Sequence, residues 1–196
     1  MKRVIKTAIF ILCIASLFIM TSCAKGPELE EVRSVVIERV TESTVLNKVF
    51  YGEGLPVYGN MYTGVDYYYV DVENSDFDTA EELKAAIARV YTKDYCMSLT
   101  ETMFVGISDS IGAVLPRFTE DESGLLMQDK FLTSILPGER VFDFAAMIME
   151  SSKNDSFVVR IPATLDGEKD ADAVLTFKRE RNENNELAWK LDSPTY

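Results

Sequence analysis

Ala173-Val174-Leu175-Thr176-Phe177-Lys178-Arg179-Glu180-Arg181, then Asn182-Glu183-Asn184-Asn185, then Leu187-Ala188-Trp189-Lys190-Leu191: this stretch decides the fold. Apolar side chains recur at every second residue, the period of a strand with one face on a core. The asparagine-rich segment between the two runs is turn chemistry, so the pair reads as a hairpin. Leu187, Trp189 and Leu191 share a face, which reads Trp189 as core rather than as a ligand platform. Moving toward the N-terminus, the period of two continues. Ser156 to Ala163 places Phe157, Val159 and Ile161 on one face, and Val141 to Glu150 reads as one long strand turned by Ser151–Asp155. Val114–Phe118 and Leu125–Gln128 flank Thr119-Glu120-Asp121-Glu122-Ser123-Gly124 as a further hairpin.

Before residue 110 the period is helical. Leu29, Val32, Val36 and Val40 recur at helical spacing, with Pro27 suited to the first turn. Val45, Leu46, Val49 and Phe50 extend that helix to about residue 50, where Gly52 and Gly54 stop it. Residues 51–64 read as a structured loop with four glycines, and Tyr67–Val72 as a strand. Thr79-Ala80-Glu81-Glu82 is a capping box opening a helix that buries Leu83, Ile87, Val90 and Tyr91. Thr92 reads as the cap of a second helix carrying Tyr95, Leu99, Met103 and Phe104, which Gly106 ends. Helices first and strands afterwards predict an α+β domain, with N-terminal helices packed on a curved antiparallel β-sheet meander.

The first 26 residues read as an address. Lys2, Arg3 and Lys6 form a basic start, Thr7–Met20 is an apolar run too short to span a bilayer, and Met20-Thr21-Ser22-Cys23 is a small-residue cleavage site ending in cysteine. Residues 1–22 are expected to leave as a signal peptide, 23–27 to form a lipidated linker, and 28–196 to form one domain. Cleavage removes three positive charges and no negative one, making the formal charge of −12 three units more negative. Such a surface repels nucleic acid and anionic headgroups, so no nucleic-acid partner is expected. The partners expected are the membrane, through lipid on Cys23, and a protein of the cell envelope.

Cys13 leaves with the leader and Cys23 carries lipid, so Cys96 stands alone, without a disulfide partner, and reads as a buried small hydrophobe. The chain has no histidine, and therefore lacks the usual general base, zinc ligand and triad partner. It also lacks a CxxC pair, a phosphate-binding glycine loop and a GxSxG elbow. No catalytic residue, metal ligand or cofactor is assigned.

Three stretches in order carry a family resemblance: the aromatic strand Asp66-Tyr67-Tyr68-Tyr69 with Phe77–Lys84 after it, the helix break Val90-Tyr91-Thr92-Lys93-Asp94-Tyr95, and the acidic hairpin Phe118–Met127 with late strands closing on Ala188-Trp189-Lys190-Leu191. Over residues 65–191 the chain resembles the exported IseA-like inhibitors of DL-endopeptidases and related uncharacterised lipoproteins of Firmicutes. The resemblance implies an α+β fold and a non-enzymatic role, restraint of NlpC/P60-type cell-wall hydrolases by occluding their cleft. The lipid anchor and the helical segment 28–50 depart from that family. A different class, an NTF2-like or cystatin-like ligand-binding domain, would give a similar pattern.

Three candidate sites follow. Glu120, Asp121, Glu122, Ser123 and Gly124 place three carboxylates on a tip that could enter a basic cleft, although acidic turns are also ordinary solvated turns. Tyr51, Tyr58 and Tyr62 could stack on sugar rings, but Leu55, Val57 and Met61 between them favour burial. Asp166-Gly167-Glu168-Lys169-Asp170-Ala171-Asp172 resembles a calcium loop. It has Ala171 and Phe177 where that loop needs glycine and glutamate, so it reads as a solvated connection.

Overall fold

The computed structural model describes residues 25–61, 67–108, 113–128, 138–182 and 184–196 of the chain. The fold is α+β, an N-terminal helix followed by antiparallel sheets. The leader with Cys23, and Tyr62, lie outside the described residues.

Helix α1 runs unbroken over Leu29–Tyr51. Val32, Val36, Val40, Leu46, Val49 and Phe50 form its buried face, while Val45 turns outward. Pro27 lies outside the helix rather than in its first turn. Glu28 stands at the cap, and its N–H donates to Glu31 Oε2 at 2.8 Å. The Gly52 N–H bonds Lys48 O to close the helix. Gly54 follows at φ +81°, and a side chain there would meet Arg117 and Met127, so glycine is required twice over.

Residues 51–64 are not simply a loop. Strand β1 (Val57–Met61) pairs antiparallel with β2 (Tyr67–Val70). Pro56 and Gly59 hide it in the sequence. Pro56 stands just before the strand, and an edge strand with a register shift accommodates Gly59, because its outer side needs no ladder partner. The β2 strand pairs on its other side with β6 (Gly124–Gln128), and β6 pairs with β5 (Phe118–Asp121). The first sheet is therefore ordered β1-β2-β6-β5.

Two helices, α2 (Ala80–Val90) and α3 (Lys93–Thr100), lie between β2 and β5 in the chain. Thr79 Oγ1 accepts from the Glu82 N–H at 3.2 Å, but the Glu82 carboxylate reaches one residue further back than a capping box, to the Asp78 N–H at 2.7 Å. Thr92 stands at the start of α3 without capping it. Its hydroxyl donates to Asp192 Oδ1 at 2.5 Å and ties the helix start to the end of the last strand. After Thr100 the helix widens into a π-turn, Glu101–Val105, and Gly106 at φ +88° ends it.

The reading of Val114–Phe118 as one strand fails. Val114 closes a two-residue pair, β3 (Ile107–Ser108) with β4 (Ala113–Val114), and Pro116 and Arg117 separate it from Phe118, which opens β5. The long strand 141–150 is also broken. It divides into β7 (Arg140–Phe142) and β8 (Ile148–Ser152) around a 3-10 turn at Phe144–Ala146. Asp143 causes the break: its Oδ1 accepts from the Ala145 and Ala146 N–H groups, an alternative to the ladder. The halves then part company. The β7 strand joins β10 (Ala163–Leu165), which pairs with β11 (Glu168–Lys169), while β8 joins β9 (Ser156–Ile161).

The last hairpin forms as its period indicates, β12 (Ala173–Arg181) with β13 (Leu187–Leu191), and the second four-stranded sheet is ordered β13-β12-β9-β8. Phe157 stacks on Phe177 at 4.8 Å and takes Trp189 edge-on at 4.8 Å. Trp189 is thus packed against the core, with the Arg179 guanidinium over its ring. Helix α2 touches β5 of the first sheet and β13 of the second, so both sheets share one core. Tyr91 and Thr92 bridge to the edge of β13, with the Thr92 N–H donating to Leu191 O at 3.0 Å. A cluster of polar groups inside the core is paired. The Ser43 hydroxyl meets Tyr91 Oη at 2.7 Å and Thr195 Oγ1 at 2.5 Å, and Asn47 Nδ2 donates to Thr195 Oγ1 at 2.7 Å.

Candidate functional site

The acidic hairpin is built from its base upward by a buried arginine. Arg117 has no exposed surface, and its guanidinium donates to Gln128 O and, at 3.1 Å, to Gly52 O. The Gln128 N–H returns a bond to Arg117 O at 2.8 Å, closing the hairpin across the Phe118↔Met127 pair. Phe118 anchors the base from inside, between Phe50 of α1 at 6.0 Å and Phe104 of the π-turn at 5.9 Å. The hairpin is therefore pinned both to the C-terminal end of α1 and to the core.

Its tip is tight. Asp121 pairs with Gly124, leaving a two-residue turn at Glu122 and Ser123. Asp121 organises that turn: its Oδ1 accepts from the Ser123 N–H at 2.8 Å and its Oδ2 from Tyr69 Oη at 2.9 Å. Gly124, at φ +138°, occupies backbone space that side-chain-bearing residues rarely enter, and nothing lies within 4 Å of where its Cβ would be. Glu120, Asp121, Glu122 and Ser123 are all exposed. The outer edge of β5 thus carries carboxylates, which also block edge-to-edge pairing.

The sheet order brings a second sequence candidate to this tip. Tyr58 on β1 is 47 % exposed and lines a groove of about 390 Å³ together with Tyr69, Val70, Val72, Ser123, Gly124 and Leu125. A hydrogen bond to the Asp71 carboxylate holds the Tyr58 hydroxyl in its neutral form above the ordinary tyrosine range, and the charges of Asp71 and Glu73 act in the same direction. Val72, 43 % exposed, adds an apolar wall. The groove therefore offers aromatic and aliphatic surface, with Asp71 and Glu73 near Tyr58 and Asp121 bonded to Tyr69.

The other sequence candidates separate from it. Tyr51 is buried, in contact with the Tyr196 ring at 4.9 Å, and burial pushes its hydroxyl well above the usual range. The tyrosine trio is thus split, with Tyr51 in the core and Tyr58 at the surface. Asp166 and Gly167 form a positive-φ turn between β10 and β11; Asp166 Oδ1 accepts from the Glu139 N–H, and Asp170 pairs with Arg140 at 3.1 Å. Among the described residues no group of three or more acids or cysteines is placed to hold a metal. Cys96 is half-buried, its thiol donating to Ile87 O and Tyr91 O, and burial pushes it up to about 11. No described helix is long and apolar enough to cross a membrane.

Sequence reasoning missed Tyr69 and Val72 as parts of the groove, and Asp71 as the carboxylate next to Tyr58. The exposed apolar Val72 beside Asp71 was the available signal. Compared with protein-family models, curated proteins and solved structures, the chain matches none.

Proposed function

We propose that this protein is a non-enzymatic binding domain, held at the extracytoplasmic face of a membrane by lipid on Cys23, and that it engages a cationic protein surface through the acidic hairpin. The partner is a cell-wall endopeptidase of the NlpC/P60 class, and the hairpin restrains it by occupying its cleft. One observation carries the reading: the tip residues Ser123 and Gly124 and the exposed Tyr58 line one groove, Asp121 bonds Tyr69 of that groove, and Glu120 and Glu122 are exposed on the same hairpin. Carboxylates steer and orient a basic partner, and the tyrosine and valine surface supplies the desolvated contact that holds it. A hairpin pinned at its base loses little freedom on binding, which favours affinity. The sequence resemblance to endopeptidase inhibitors supplies the partner class.

The test is an inhibition titration. Residues 25–196 are added to a panel of NlpC/P60 endopeptidases digesting purified peptidoglycan, beside a variant carrying Glu120→Ser, Asp121→Ser and Glu122→Ser. The expected result is inhibition by the parent chain that the variant loses. Inhibition unchanged in the variant would remove the hairpin from the mechanism. Absence of inhibition across the panel would remove the partner class.

A further inference from the structure

A second cavity, of about 600 Å³, opens where α2 and α3 meet the β12–β13 hairpin. That size is within the range of small-molecule sites, roughly 300–1,000 Å³. Its lining inverts the charge of the chain. In a protein of formal charge −12, five basic side chains, Arg39, Arg89, Lys93, Arg181 and Lys190, face it against the one carboxylate, Glu180, that lines it among the described residues. Those cations come from α1, α2, α3 and the last hairpin, so the fold and not a local run gathers them.

Part of this charge serves the fold. Glu38 and Glu42 hold Arg39 at 2.8 Å and 2.7 Å, and Glu42 also holds Arg89 at 2.8 Å. The Lys190 ammonium donates to Ala88 O at 2.6 Å and Arg89 O at 2.7 Å, and so neutralises the negative end of α2. The Glu180 carboxylate takes the Lys93 backbone N–H at 2.9 Å. What remains is an unbalanced excess. Among the described residues neither Lys93 nor Arg181 has an ion-pair partner, and the buried Arg39 Nε has no hydrogen-bond acceptor. A positive field left in a partly enclosed cavity is a site for an anion. Ala85, Ala88 and Ala188 give the cavity a smooth apolar floor.

We propose that this cavity binds a small organic anion, its carboxylate or phosphate held by Lys93 and Arg181 and its apolar body lying on the alanine floor. The site is separate from the hairpin groove and does not depend on the endopeptidase reading. Trp189 does not line it, since Ala188 and Lys190 on either side of Trp189 do.

The test uses the full chain in nonionic detergent with four probes of one chain length: hexanoate, hexyl phosphate, hexanol and hexylammonium. Calorimetry reads binding. The alkylation rate of Cys96, followed by peptide mapping, reads occupancy, because that thiol lines the cavity. The expected result is one-to-one binding of hexanoate or hexyl phosphate, slower Cys96 alkylation, and no binding of hexanol or hexylammonium. The preferred headgroup then identifies the ligand as carboxylate or phosphate. The double variant Lys93→Glu, Arg181→Glu should weaken binding about tenfold or more, while Lys169→Glu, on the distant β11, should not. All three positions are exposed, and far-UV circular dichroism checks the fold. Asn184→Asp, also on the lining, is a milder second variant expected to weaken binding in the same direction. Equal binding of hexanol, equal loss in Lys169→Glu, or binding of neither anion at millimolar concentration would each overturn the proposal.

Discussion

Replacing Phe157 by alanine should loosen the packing of the second sheet across β9, β12 and β13. Phe157 is 1 % exposed, stacks on Phe177 at 4.8 Å with ring planes 8° apart, and meets Trp189 edge-on at 4.8 Å. Truncating a buried phenylalanine costs about 3–5 kcal/mol, the lost transfer energy plus the cavity left behind. The two ring contacts are worth about 0.5–1.5 kcal/mol each beyond area, which places this site at the upper end. Phe157→Leu keeps most of the apolar volume and loses only the ring geometry, so about 1–2 kcal/mol is expected. Urea unfolding of residues 25–196 measures both. Trp189 is the single tryptophan and sits on the mutated ring, so its fluorescence reports the transition. With a slope of about 2 kcal/mol/M, the alanine variant should unfold about 2 M earlier and the leucine variant less than about 1 M earlier. A loss below about 1.5 kcal/mol for alanine, or equal losses for the two variants, would refute the packing argument.

Three further outcomes are expected. Arg117→Met should cost about 2–4 kcal/mol, because it strands the carbonyls of Gly52 and Gln128 in the core; amide exchange over 118–128 should rise with it, and unchanged exchange would count against the hairpin base described above. Ser43→Ala should cost about 1–3 kcal/mol by leaving Tyr91 Oη and Thr195 Oγ1 short of a partner, a loss read in thermal unfolding. Burial raises Tyr51, Tyr91 and Tyr95 above the ordinary value, so the folded state holds protons that the unfolded state releases above about pH 10. Stability should be independent of these groups below that pH and fall as pH rises beyond it. An absorbance titration should therefore show a tyrosine fraction that ionises only with unfolding; nine tyrosines titrating together near pH 10 in the folded chain would contradict it.

The parts of the fold legible in the sequence were those set by local periodicity. The β12–β13 hairpin, the valine stripe of α1 and the Thr79 cap each depend on residues a few positions apart. Legibility failed where a side chain broke a pattern from within. Asp143 interrupts an apolar run with a cap, and Gly59 sits in a strand that tolerates it only at an edge. Both sites depend on distance in the chain. Tyr58 reaches Ser123 and Gly124 only through the order β1-β2-β6-β5, and no spacing announces that order. Arg39 and Arg181 read as ordinary surface charges until the fold sets them around one cavity. Arg117 reads as surface for the same reason, and it is the base of the hairpin.

The most direct measurement of hairpin engagement is hydrogen–deuterium exchange of residues 25–196, alone and mixed with an NlpC/P60 endopeptidase. Slowed exchange is expected in the hairpin, 118–128, in the neighbouring strands 57–61 and 67–70 and in the adjoining residues 71–72, with the β12–β13 sheet unchanged. Protection elsewhere, or none at all with the enzyme in excess, would contradict that engagement.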